Sequence, residues 1–237
     1  MILIMYDIVR SSNHMPKNNI VNPNQNISSD WPGAFKIYSI SKAAVKYNRN
    51  LIIGLMALAA FVEIAYVVYS EHSKTSFSNS AVYYLVEFIL IIFQYMILYV
   101  ILQGSKANKI NLDQTLTVIF KKVINIIVCS FILSIIFLAS IILLIIPAFF
   151  IIPRIYLAVY YVIDKDMDPI SAIKTCWHDT RNNVLKLYEI LGVNILILIL
   201  ALTIVGIPFA IYFGFYYYGA STVYYRYISS QNILELN

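Results

Sequence analysis

Residues 51–69 read LIIGLMALAAFVEIAYVVY, an apolar run with a single charge, Glu63. A helix crosses a hydrocarbon core about 30 Å thick in roughly 20 residues, and this run has that length. Backbone N–H and C=O groups in lipid find partners only within their own segment, so such a run has to be helical. Lys36, Lys42, Lys46 and Arg49 crowd its N-terminal side, whereas Glu71, His72 and Lys74 follow it. Excess Lys and Arg marks the cytoplasmic flank of a span, which places the N-terminus inside.

Outward from that run, similar blocks recur at about 81–103, 123–146, 148–163, 187–207 and 209–227. Each basic cluster (Lys106 and Lys109; Lys121 and Lys122; Lys165 to Lys186; Arg226) then falls on the side of Lys46. The sequence therefore predicts an all-α polytopic transmembrane helical bundle of about six spans with both termini cytoplasmic. Composition agrees: the 237 residues are 60% hydrophobic and 12% charged, against about 25% charged in soluble domains. Residues 30–230 read as one transmembrane domain, flanked by a disordered, Asn-rich tail over 1–29 and a short C-terminal tail over 231–237. Met1 to Val9 is too short to span and lacks the features of a signal peptide. Asn26-Ile27-Ser28 matches a glycosylation acceptor but falls on the cytoplasmic side in this topology.

The segments before the odd-numbered spans share a pattern. Asp30 with Pro32, Asp113, and Asp168 with Pro169 are positioned to begin helices. Each helix carries an apolar stripe among basic residues: Phe35, Ile37, Ile40 and Val45; Leu116, Ile119 and Phe120; Ile170, Ile173 and Trp177. This predicts three repeats of an amphipathic interfacial helix plus a transmembrane hairpin. The second and third hairpins share an Ile-Pro turn, Ile146-Pro147 and Ile207-Pro208. Repeats occur in transporters and scaffolds alike, so they speak to architecture.

Charges within spans are the best pointers to a site, since burying one costs at least about 2.5 kcal/mol on insertion scales. Glu63, Glu87 and Arg154 lie well inside. At 1.5 Å per residue, Glu63 falls about 18–20 Å from the start of its span, and Glu87 and Arg154 about 9–10 Å from the outer ends of theirs. The expected arrangement is an intramembrane polar cluster of Glu63, Glu87 and Arg154, extended by Gln94, serving either as a register-fixing ion pair or as a transport site. Asn194 and Asn125 are expected to hydrogen-bond between helices. The tyrosines at the ends of spans four and six, Tyr160, Tyr161, Tyr216 to Tyr218, Tyr224, Tyr225 and Tyr227, are expected to form an aromatic belt at the interface.

Other chemistries lack material. Cys129 and Cys176 fall in different compartments of this topology, so two free thiols are expected. Cys176 with His178 and Asp179 falls short of the three or four ligands of a zinc site. There is no phosphate-binding glycine loop, no Gly-x-Ser-x-Gly and no His-Glu-x-x-His. No catalytic, metal or cofactor residue is assigned. The net charge of +5 fits an anionic membrane face better than nucleic acid.

Ile152-Pro153, Tyr156-Leu157-Ala158-Val159, an acidic loop, Asp168-Pro169-Ile170-Ser171-Ala172-Ile173 and Trp177, followed by a hydrophobic span, form an ordered set. That set resembles the membrane domain of bacterial glycerophosphoryl diester phosphodiesterases and the related YciC-type integral membrane proteins. Arg154 here stands where those families usually carry glycine, Tyr160 and Tyr161 where an arginine is expected, and Cys176 where serine is frequent. The resemblance implies the membrane module without the hydrolase, so no catalytic residue carries over. The expectation is a non-enzymatic protein of the cytoplasmic membrane of a prokaryote. It would act as a scaffold or partner-binding module in contact with membrane lipids and a protein partner or second copy. The alternative is a small transporter or lipid-handling protein using the Glu/Arg cluster.

Overall fold

The computed structural model describes residues 31, 33–72, 76–143, 145–203 and 206–235. Every element among them is helical: α1 (Ala34–Tyr47), α2 (Arg49–His72), α3 (Ser76–Ser105), α4 (Leu112–Leu143), α5 (Ile145–Ile155), α6 (Ala158–Lys165), α7 (Pro169–Asp179), α8 (Val184–Ala201), α9 (Ile207–Tyr217) and α10 (Ala220–Glu235). Four stretches have the length and apolar composition of membrane spans, namely Arg49–Ser70, Ala81–Ser105, Leu112–Ile142 and Val184–Ala201. They overlap the expected spans at 51–69, 81–103, 123–146 and 187–207, the last two stopping short at Ile142 and Ala201. The tail expected over 1–29, Asp30 with Pro32, and residues 236–237 of the tail expected over 231–237 lie outside the described residues, while 231–235 continue the last helix.

The segments expected at 148–163 and 209–227 are each divided in two. Pro153 lies inside α5; it donates no hydrogen bond and its ring crowds the preceding turn. The helix stops at Ile155, and α6 starts afresh at Ala158. The second break falls at Tyr218 and Gly219, between α9 and α10. There a Cβ on residue 219 would lie 2.7 Å from Ser41 Oγ of α1 and 3.1 Å from Ile101, so any larger residue would have to push these side chains aside.

Helix starts follow local chemistry. Asp168 caps α7, its carboxylate accepting from the Ser171 amide at 3.0 Å with Pro169 in the first turn. The expected cap at Asp113 moves to Asn111. The Gln114 amide donates to Asn111 Oδ1 at 2.9 Å and Gln114 Oε1 accepts from the Asn111 amide at 3.2 Å, a reciprocal capping box. At α1 the cap position is Gly33, with φ of 82°. The amphipathic segments before spans one and five are separate helices, α1 and α7. The segment before span three is the first part of α4 itself, because no glycine or proline interrupts residues 112–143. At 32 residues α4 is about 48 Å long, more than a hydrocarbon core needs.

The consecutive pairs α2/α3, α4/α5 and α8/α9 pack as hairpins, while α1 lies across α3, α9 and α10. Gly104 makes that crossing tight: a Cβ there would overlap the backbone carbonyl of Ala44. The core gathers at one end, from Met96 to Leu102 of α3, Leu157 to Ile163 through α6, Ile37 and Val45 of α1, and Val223 to Ile228 of α10. This is also where Lys106, Lys122, Lys186 and Arg226 lie, and it is called the basic end below.

Candidate functional site

The four expected cluster residues separate. Glu63 of α2 and Gln94 of α3 line one groove of about 400 Å³ with Phe93, Ile97, Phe215 and Tyr218. The groove lies between the first hairpin and α9. Glu87 turns instead to Tyr83, which hydrogen-bonds it from one turn away. Arg154 is drawn into another interface: its guanidinium sits over the Trp177 ring at 4.9 Å. Its backbone carbonyl accepts from Thr180 Oγ1 at 3.0 Å and from the Cys176 thiol at 3.1 Å.

Among the described residues no ion pair joins Arg154 to either glutamate. In place of one cluster the residues occupy three places: Glu63 and Gln94 in the groove, Glu87 beside Tyr83, and Arg154 over Trp177. The kink after Pro153 and the return of α7 along α5 and α6 bring Arg154 level with the connecting helix. Its Nε is buried without a hydrogen-bond partner, which the flat face of Trp177 partly offsets through cation–π attraction.

The tyrosines depart from the belt as well. Tyr160, Tyr161, Tyr217, Tyr224, Tyr225 and Tyr227 are buried. Tyr161 donates to Asp179 Oδ2 at 2.6 Å, Tyr225 to Asp164 Oδ2 at 3.0 Å, and Tyr224 to the Asn183 carbonyl at 2.8 Å. A buried hydroxyl needs such partners, and here the 164–183 segment supplies all three. The network continues through ion pairs of Lys106 with Asp164 and of Lys122 with Asp166, the second at 3.1 Å. Lys122 also donates to the Ile163 carbonyl at 2.9 Å, and Arg226 reaches the Ser105 carbonyl. Lys186 donates to Asn183 Oδ1 and Tyr227, while the Trp31 indole donates to Glu189 at 2.8 Å.

One arrangement has the form of an aromatic cage. Lys42 Nζ lies 5.2–5.5 Å from the ring centres of Tyr38, Tyr212 and Tyr216 and donates to Tyr212 Oη at 3.1 Å. The chain's own ammonium fills it, which makes it a clasp between α1 and α9. Burial raises the Tyr38 phenol above its ordinary range, so this tyrosine stays neutral beside Lys42.

The remaining candidates resolve plainly. Asn194 donates to the Ile190 carbonyl of its own helix at 3.1 Å, and Asn125 is exposed, so the expected interhelical bonds do not form through these donors. A carbonyl one turn back is always within reach of an Asn on a helix. Burial pushes the Cys176 thiol well above the ordinary range. Its sulfur points to the Arg154 carbonyl, which makes it a packing residue. Cys129 and Cys176 are both free, and no cluster able to hold a metal occurs among the described residues.

Neither a family model nor a curated protein nor a solved structure matches the chain.

Proposed function

We propose that this chain is a six-span integral membrane protein of a prokaryotic cytoplasmic membrane, with both termini inside. It would act as a non-enzymatic scaffold that presents its interfacial helices to a protein partner or a second copy. In this reading α5/α6 and α9/α10 are kinked spans, and three helix-plus-hairpin units build the bundle. The carrying observation is that α1 and α7 each bury one face and leave a second, mixed apolar and basic face exposed. On α1 the buried face is Ile37, Tyr38, Ser41 and Val45, and the outer one is Phe35, Lys36, Lys46 and Tyr47. On α7 the buried face is Ala172, Cys176 and Asp179, and the outer one is Ile170, Lys174, Trp177 and His178. A helix clamped by its core presents its outer face in a fixed geometry, which lowers the entropic cost of binding. The resemblance to the phosphodiesterase membrane domain points the same way, since that module accompanies a separate catalytic domain.

The test is a photo-crosslinking residue at position 174 or 35 in native membranes. The expected result is one discrete protein adduct, abolished by Trp177→Ala for position 174 or by Tyr47→Ala for position 35. Adducts to lipid alone, together with solute flux in proteoliposomes, would overturn the scaffold reading. A lipid-handling role is the second reading, and one observation favours it: Glu63 and Gln94 share an apolar groove. It predicts that Glu63→Gln alters lipid binding or flux; no change in either removes it.

A further inference from the structure

The corner where α1 passes into α2 forms a pocket of about 480 Å³ with the turn that follows α3. Its cationic lining comes from three separate elements: Lys46 near the end of α1, Arg49 at the start of α2, and Lys109 in the 106–111 turn. Among the described residues none of the three forms an ion pair, in contrast to Lys106 and Lys122 nearby, which each meet an aspartate. No carboxylate lines the pocket. Three cations held together without an anion repel one another, a cost that an entering anion removes.

The corner is also built. Asn48, only 7% exposed, donates to the carbonyls of Val100 at 3.4 Å and Asn108 at 3.0 Å, and accepts from the Ile110 amide at 3.3 Å. One side chain thereby fixes the turn that carries Lys109 against the α1–α2 corner. The turn itself closes α3 with bonds from the Asn108 amide to Gln103 and from the Ala107 amide to Gly104. Ala107 is held at a φ of 56°, a conformation disfavoured for a residue with a Cβ.

The pocket's place along the helices points to the class of anion. Arg49 begins one apolar stretch of membrane-span length and Ser105 ends another, so with these stretches in a bilayer the pocket would lie where two such helices leave the hydrocarbon, at the level of lipid phosphates. Tyr47, exposed beside it, is a residue type that favours that level. We infer that Lys46, Arg49 and Lys109 form a binding site for a phosphoryl anion, presented as the headgroup of an anionic phospholipid.

The test uses the full chain in nanodiscs of phosphatidylcholine containing a minor fraction of labelled phosphatidylglycerol. The pocket triple Lys46→Gln, Arg49→Gln, Lys109→Gln is compared with Lys36→Gln, Lys121→Gln, Arg181→Gln, which removes the same charge from exposed sites elsewhere. The pocket triple should weaken lipid retention about a hundredfold, at about fivefold for each charge facing the headgroup, and the control triple, whose charges do not converge on one headgroup, should weaken it less than about fivefold. Lys109→Gln alone, in an exposed turn, should weaken it about fivefold and guards against misfolding of the triple. Millimolar inorganic phosphate should fail to displace the lipid. Displacement by phosphate, with binding still lost in the pocket triple, supports the phosphoryl site with a soluble anion as its source. Equal losses in both triples, or equal retention of phosphatidylcholine, would overturn the proposal.

Discussion

The basic end and the far reaches of the long helices are built from similar residues but held together differently. At the basic end, α6 is buried from Ala158 to Ile163, and its tyrosines, aspartates and lysines are tied by named hydrogen bonds. Along the span-length stretches of α2, α4 and α8, only 11%, 17% and 11% of the residues are buried within the molecule. Isoleucines and leucines there point outward on several sides. The apolar surface of these stretches is matched to lipid, which is as apolar as leucine and so asks for no protein partner. The difference teaches that hydrophobicity makes a helix of each segment here, while contacts specific to the basic end decide how the segments meet.

The largest expected effect tests that division directly. Leu102, fully buried on α3, should cost about 2–5 kcal/mol when changed to Ala. Leu198, 63% exposed on α8, should move within about 0.5 kcal/mol. Thermal unfolding in detergent reads both; equal losses would erase the distinction between the two ends. A pair of glycines sharpens it by sign. Gly104→Ala pushes a Cβ into the Ala44 carbonyl and should destabilise by about 1–3 kcal/mol. Gly192→Ala meets open space on α8 and should gain about 0.5–1 kcal/mol from helix propensity.

The smallest effect concerns pH at the α7 cap. Backbone and side-chain hydrogen bonds from Ser171 hold the Asp168 carboxyl below its usual range. A depressed folded value contributes stability above the unfolded carboxylate pKa of about 3.9, and that contribution is lost as pH falls through the folded value. Asp168→Ala should therefore unfold at a slightly lower temperature than the unaltered chain at neutral pH, and the gap should close in acid. A gap that persists in acid would show that the cap acts without its charge.

Much of the helix inventory was legible. The runs at 51–69 and 81–103 each lie within a helix of span length, those at 123–146 and 187–207 do so as far as Leu143 and Ala201, and Asp168-Pro169 caps α7 as expected. The span expected at 148–163 runs straight through Pro153, whose kink matters only through what it lets touch. Arg154 shows why the site was harder to read. Depth counted along a straight span set it beside Glu63 and Glu87, but the kink and the return of α7 set it on Trp177. The Asn111–Gln114 capping box was readable from its spacing; the choice of Asp113 overlooked it. Nothing in the sequence marked Asn48 as the residue that joins the α1–α2 corner to the 108–110 turn, since its partners are backbone groups some 50 to 60 positions away.

The sequence by itself determined which segments are apolar helices and where positive charge collects, because hydropathy and charge are set within a few neighbouring residues. Only the tertiary structure decided that the tyrosines are core rather than belt and that the intramembrane charges part company. It also decided that Lys109 joins the neighbouring Lys46 and Arg49 in one pocket. Lipid and protein interior are equally apolar, so a hydrophobic pattern cannot tell which of them a side chain will face. That choice is made when helices pack, by the shapes and hydrogen-bonding groups that happen to meet.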